Sequence, residues 1–137
     1  MLVATIMHED VITATPDMSL AQAQRLMQEK HLRHLPVLSG KHLVGIVTDR
    51  DIRNAVPSLA TTLSRGEIAY QLDTTPVKTC MTEQVISITP DTDVVEGAAL
   101  LLQHTIGGLP VVKDGKLVGM VTEIDFLQAF LSTTPTI

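Results

Sequence analysis

The sequence predicts an α+β fold built from one small β-α-β-β-α unit used twice. Three observations predict it. The chain matches itself without gaps at an offset of 74 positions, Met7 falling on Met81 and Gly45 on Gly119. Within each copy, short strand-like runs alternate with a stretch of helical periodicity. Hydrophobic residues make up 45% of the 137 residues but aromatics only 2%, so the core must be aliphatic.

The repeat is the strongest of the three, because a repeat that is overlooked leads to the wrong fold. Its clearest copies are LVGIVTDRD at 43–51 and LVGMVTEID at 117–125. Thr15-Pro16-Asp17 falls on Thr89-Pro90-Asp91, Leu35-Pro36-Val37 on Leu109-Pro110-Val111, and Asp51 on Asp125. The matches lie at apolar, Gly, Pro and Asp positions, where packing and backbone geometry restrict choice. The repeat divides the sequence into copy 1 (1–56), a linker with a short helix (57–76), copy 2 (77–131) and a tail (132–137).

Taken in order, residues 3–7 predict a helical turn, and Val11–Thr15 a strand ended by Pro16. Ser19 with Gln22 makes a capping box, in which each side chain covers a free backbone N–H of the other. The helix that follows carries Leu20, Ala23, Leu26 and Met27 on one face and ends near His31. Leu35–Leu38 and His42–Thr48 read as strands around a Ser39-Gly40 turn, the second apolar on both faces and so central and buried. A helix from Asp49 ends at about Val56, with Pro57 as its stop. Ser64 with Glu67 caps a linker helix over 65–72.

The second copy repeats this order. Val85–Thr89 is a strand, Asp93 caps a helix with Glu96 three positions on, and Leu109–Val112 is a strand. Asp114-Gly115 is a hairpin signal, Lys116–Thr122 the buried strand and Glu123–Leu131 the last helix; the STTPTI tail is expected to fray. A unit of about 50 residues cannot cover its own sheet. Two units packed sheet to sheet with pseudo-twofold symmetry would bury both apolar faces and leave two related clefts.

Charge and composition exclude several function classes. A net charge of −5 and a pI near 5.4 do not suit nucleic acid or an anionic membrane surface. The single Cys80 forms no internal disulfide and suits a reducing compartment. The N-terminus has no basic region and reaches an acid by Glu9, so no signal peptide is expected. Apolar runs such as Ala98–Leu102 are too short to span a bilayer. A cytoplasmic protein is expected. The five histidines (8, 31, 34, 42 and 104) lack metal-ligand spacing, and no Ser-His-Asp, nucleophile-elbow or GxxxxGK[ST] pattern occurs.

The motifs VITATPD and VISITPD, HLPVL and GLPVV, LVGIVTDRDI and LVGMVTEIDF resemble those of a tandem pair of CBS domains, a Bateman module, over nearly all of residues 1–131. The linker is similar to that of stand-alone bacterial CBS pairs of the acetoin-utilisation type. The resemblance implies regulatory binding of an adenosine compound (AMP, ADP, ATP or S-adenosylmethionine) and no catalysis or catalytic cofactor. It also implies a homodimer joined through helices, and an effector protein of unknown identity.

The Thr-x-x-Asp corners admit two readings. One is a capping box, with an acid in the first helical turn worth about 0.3–1 kcal/mol. The other is a ligand contact, in which a carboxylate accepts both vicinal hydroxyls of ribose and a helix N-terminus offers N–H groups to phosphate. The resemblance implies the second, with capping as a further duty. It gives Asp51 and Asp125 to ribose, Thr48 and Thr122 to ribose or phosphate, and Ile46 and Met120 to the base. Val85 and Ile86 would meet the base in the Asp51 cleft, and Val11 and Ile12 in the Asp125 cleft; core packing is the alternative for each. Copy 1 has Arg33-His34 and Arg50 where copy 2 has Gly107-Gly108 and Ile124, so the Asp51 cleft is expected to take the more anionic ligand. Solvated surface charge is the alternative for the arginines. A ligand-free dimerisation or interaction scaffold is the competing function.

Overall fold

The computed structural model describes residues 1–60 and 63–133, without the side chains of 57–60. The elements are α1 (Leu20–Lys30), β1 (His34–Ser39), β2 (His42–Thr48), α2 (Asp49–Ala60), α3 (Arg65–Thr74), α4 (Val94–His104), β3 (Gly108–Lys113), β4 (Lys116–Thr122) and α5 (Glu123–Thr133). Single 3-10 turns at Val3–Thr5 and Val77–Thr79 begin the two copies.

Two compact units form, and they are not the two sequence copies. One unit is Ile12–Val85; the other joins Met1–Val11 to Ile86–Ile137. The segment that opens each copy therefore belongs to the unit made by the body of the other copy. Hydrogen bonds show how. In the first unit Val77 N–H donates to the Met18 carbonyl at 2.7 Å, and Lys78 N–H to that of Pro16 at 3.0 Å. In the second, Val3 N–H donates to Thr92 at 2.8 Å and Ala4 N–H to Pro90 at 3.0 Å, the same bonds shifted by the repeat. Val77 and Val3 are both fully buried as a result.

Each unit holds an antiparallel hairpin, β1 with β2 and β3 with β4. Their registers match residue for residue, His34 facing Thr48 and Gly108 facing Thr122. Each hairpin has an irregularity at the equivalent place, Val37/Leu38 and Val111/Val112. The Asp114-Gly115 turn has φ of 52° and 77°, the left-handed pair a tight hairpin requires. Both capping boxes form as expected, Ser19 with Gln22 on α1 and Ser64 with Glu67 on α3. Asp93 caps α4 through the Val95 N–H at 2.9 Å rather than through a box with Glu96.

Three expectations need correction. Val11–Thr15 and Val85–Thr89 do not form strands. Each makes one isolated parallel bridge, Ala14 to Val37 and Ile88 to Val111. The N–H groups of Val11 and Val85 turn back to the carbonyls of Glu9 and Glu83, which keeps them out of any ladder. Helix α2 continues past Pro57 to Ala60; proline removes one hydrogen bond from a helix but keeps a helical φ. The last helix reaches Thr133, and the remaining tail residues 134–137 lie outside the described residues.

The cores are aliphatic, as composition requires. In the first unit Leu20, Ala23, Met27, Leu35, Val37, Val47, Ile52 and Val77 pack together. In the second, Val3, Ile88, Leu101, Leu109, Val111 and Val121 do so, with Phe126 as the one aromatic member. Burying each such side chain stabilises the fold by about 1.5–3 kcal/mol before the entropy of ordering it.

Candidate functional site

β2 and β4 are buried only in their second halves, and there another stretch of backbone comes close. Beyond the 3-10 turn, the opening segment runs beside the strand in each unit. Thr82 exchanges two hydrogen bonds with Ile46, at 2.8 and 3.0 Å. His8 exchanges two with Met120, both at 2.9 Å. This explains the glycine one residue earlier. A Cβ on Gly45 would lie 2.6 Å from Met81 Sδ and 3.1 Å from the Thr82 carbonyl oxygen. A Cβ on Gly119 would lie 2.7 Å from Met7 Sδ and 3.1 Å from the His8 carbonyl oxygen.

Two residues beyond that bridge the strand becomes a helix, and the Thr-x-x-Asp corner forms. The Thr48 N–H donates to Asp51 Oδ2 at 2.9 Å, and the Asp51 N–H donates to Thr48 Oγ1 at 3.1 Å. This is a reciprocal capping box on α2. At the second corner the Thr122 N–H donates to Asp125 Oδ2 at 2.8 Å, and Thr122 Oγ1 lies 3.3 Å from the same oxygen. Capping is therefore a duty both aspartates perform.

The corners differ in what meets the other carboxylate oxygen. Asp125 Oδ1 accepts a hydrogen bond from His8 Nε2 at 2.7 Å, and Asp125 is buried at 6% exposure. Asp51 is half-buried, and among the described residues its Oδ1 has no hydrogen-bond partner. Cys80 belongs to the same neighbourhood: burial first, and the negative charge of Asp51 second, raise its thiol pKa.

The opening turn of α2 is less free than the sequence suggests. The Asp49 N–H donates to the Arg33 carbonyl at 3.1 Å, and the Arg50 N–H to Asp49 Oδ1 at 2.9 Å. With Asp51 N–H on Thr48, three donors that a phosphate would use already have partners.

The remaining candidates fall into three groups. Ile46 and Met120 are placed by their bridges to Thr82 and His8; Ile46 is half-buried and Met120 buried. Val85 lies in the Asp51 unit and Val11 in the Asp125 unit, while Ile86 and Ile12 belong to the opposite units. His34 opens β1 directly across from Thr48. Arg33 and Arg50 are exposed. Arg33 lines a 480 Å³ groove with Gln24, Gln28, His31, Asp49 and Arg53, and Asp51 is not among the groove's lining residues. Arg53 there pairs with Asp49 at 3.7 Å. The contact at these corners that the sequence does not disclose is His8 on Asp125, two residues 117 positions apart.

Comparison with known proteins places this geometry in a family. The family model described as CBS domain matches twice, at residues 3–58 and 77–132. A CBS domain-containing protein of Dictyostelium discoideum is 33% identical over 95% of this chain and 91% of its own length. An uncharacterised protein of Thermofilum pendens is 36% identical and an inosine-5'-monophosphate dehydrogenase of Korarchaeum cryptofilum 37% identical, but the chain spans only 42% and 21% of their lengths. Among solved structures, CBSX2 in complex with AMP superimposes with a TM-score of 0.83 at 28% identity, covering 98% of this chain and 99% of that one. The CBS domain pair of MJ0100, in complex with 5'-methylthioadenosine and S-adenosyl-L-methionine, gives 0.82 at 28% identity, with 98% of each chain covered. A putative acetoin utilisation protein from Vibrio cholerae gives 0.79 at 30% identity, covering 96% and 91%. With an α+β fold, a family model matched in both copies and one curated relative aligned over 91% of its length, the chain belongs to the CBS domain family.

Proposed function

We propose that this chain is a regulatory module that binds an adenosine compound at its Thr-x-x-Asp corners, the Asp51 corner first. The observation that carries the reading is the half-buried Asp51 carboxylate. One oxygen is held by the Thr48 N–H, so the group is fixed in direction, and the other has no partner among the described residues. A fixed carboxylate with an open oxygen suits the vicinal hydroxyls of a ribose, because charge-assisted hydrogen bonds are the stronger kind. Thr48 Oγ1 lies at the same corner, and Ile46 adds apolar surface two residues away. Two similar structures hold AMP, or 5'-methylthioadenosine with S-adenosyl-L-methionine, which supports adenosine as the common element. Arg33, His34 and Arg50 give this unit positive or polar character at positions where the other carries Gly107, Gly108 and Ile124, favouring an anionic ligand such as AMP, ADP or ATP there.

Binding would act by population shift: a ligand with different affinities for two arrangements favours one of them. The output passes to a second copy or to a partner protein. An exposed apolar face supports the second copy. Val95 and Leu102 on α4, with Ile124, Leu127 and Leu131 on α5, are each more than half exposed. The positions aligned with Leu102, Ile124 and Leu127 in the other unit are Gln28, Arg50 and Arg53. The same face supports a second reading, a dimerisation scaffold that needs no ligand. A cytoplasmic setting fits the acidic chain and its single free thiol; no helix among the described residues is long and apolar enough to cross a membrane.

Isothermal titration calorimetry with AMP, ATP and S-adenosylmethionine tests the reading. Asp51→Asn should weaken the bound compound by about 1–3 kcal/mol, the cost of losing a charged hydrogen-bond partner. Silence from every adenosine compound would favour the scaffold. Unchanged affinity in Asp51→Asn would remove Asp51 from the site.

A further inference from the structure

The two corners share a backbone and differ in one side chain. His8 and Thr82 occupy equivalent positions, each bridged by two hydrogen bonds to the strand residue two before the corner threonine. Their backbones therefore place their side chains alike relative to the corner. At one corner a histidine reaches the aspartate; at the other a threonine makes no hydrogen bond to it. Asp125 consequently has both carboxylate oxygens engaged, Oδ2 by Thr122 and Oδ1 by His8 at 2.7 Å. Asp51 has one engaged and, among the described residues, no partner on the other.

We propose that His8 is a latch on the Asp125 corner, occupying the carboxylate oxygen that a ribose hydroxyl would use. This rests on the functional reading above and makes the two corners unequal. The Asp51 corner takes ligand as it stands. The Asp125 corner takes ligand only when the imidazole swings away. The latch is free to move, since the His8 side chain is 69% exposed while the carboxylate it holds is buried. It is also a local device, because His8, Thr122 and Asp125 all lie in one compact unit. A ligand at the second corner must displace a hydrogen bond that a ligand at the first does not meet, so the affinities separate. His8 is thus a residue that determines how many ligands the chain holds.

The experiment is calorimetry with AMP, ATP and S-adenosylmethionine on the full chain and four variants. Wild type should bind one ligand per chain, and Asp51→Asn should weaken it. His8→Thr, which installs the residue found at the other corner, should expose a second site at least tenfold tighter than any second site of wild type. His8→Gln keeps a donor toward Asp125 and should behave as wild type. Thr82→His should add a latch to the Asp51 corner and weaken the first site at least fivefold. Circular dichroism melts check that each variant folds. Two sites of equal affinity in wild type, or a stoichiometry and affinity unmoved by His8→Thr, would overturn the latch and leave the functional reading intact. A second site weakened by His8→Thr would make His8 a ligand contact and also overturn it. No binding by wild type or by His8→Thr would overturn the functional reading, and the latch with it.

Discussion

Gly45→Ala and Gly119→Ala are the substitutions that most directly probe the exchange of opening segments. At Gly45 the new methyl would sit 2.6 Å from Met81 Sδ, 3.0 Å from Met81 Cγ and 3.1 Å from the Thr82 carbonyl oxygen. The methionine can swing, but the carbonyl is held by the Ile46 N–H at 3.0 Å and cannot retreat without stretching that bond. Overpacking of this kind costs about 1–3 kcal/mol. Loosening the Ile46–Thr82 pair would add about 0.5–1.5 kcal/mol per hydrogen bond. Alanine returns about 0.4–1 kcal/mol by restricting the unfolded chain. With one hydrogen bond loosened, the net expectation is a loss of about 0.5–4 kcal/mol, or roughly 2–16 °C in Tm for a domain of this size. Gly66→Ala is the control. Nothing lies within 4 Å of its Cβ, and it sits near the start of α3, so it should be neutral or stabilising. Differential scanning calorimetry of the three variants decides the matter. If Gly45→Ala and Gly119→Ala melt within a degree of wild type, the opening segments do not lie against the strands as described.

Cys80 and Leu127 carry three further predictions. Burial and the charge of Asp51 raise the Cys80 thiol pKa, so alkylation by iodoacetamide at pH 8 should be slower than for an unfolded-chain thiol, as followed by mass spectrometry. The same shift gives a signed pH effect: because the folded pKa is the higher one, stability from this group is intact below the ordinary thiol pKa and is lost as pH rises through the folded value. Cys80→Ala should remove that alkaline slope from a pH series of denaturant melts. Leu127→Glu places a charge on the exposed apolar face of α5; if the proposed second copy docks there, sedimentation should show a dimer for wild type and a monomer for the variant without loss of helicity, and a monomeric wild type or an unchanged sedimentation coefficient would contradict that docking.

Local chemistry was the legible part of this molecule. The bounds of β2 and β4 coincide with those read from sequence, because a continuous apolar run, a turn and a helix-starting corner all act within a few residues. The boxes on α1 and α3 were legible for the same reason. Segment exchange was not, since a repeat looks the same whichever copy its opening segment joins. The strand expected at Val11–Thr15 has suitable residues, yet pairs only through Ala14 because its first N–H bonds backward to Glu9. At the candidate site, the corner residues were legible as types at a spacing, but not how far capping already engages them. The His8–Asp125 bond left one trace: aligned copies carry histidine against threonine. No local rule gives that mismatch meaning before the fold brings position 8 to position 125.

Backbone amide chemical-shift mapping by NMR during an AMP titration tests most directly that the Asp51 corner is an adenosine site. The largest shifts should fall at Thr48, Asp51 and Thr82, with smaller ones at Thr122 and Asp125. Saturating AMP that moves none of these amides, or moves only residues of the Arg33 groove, would contradict the account.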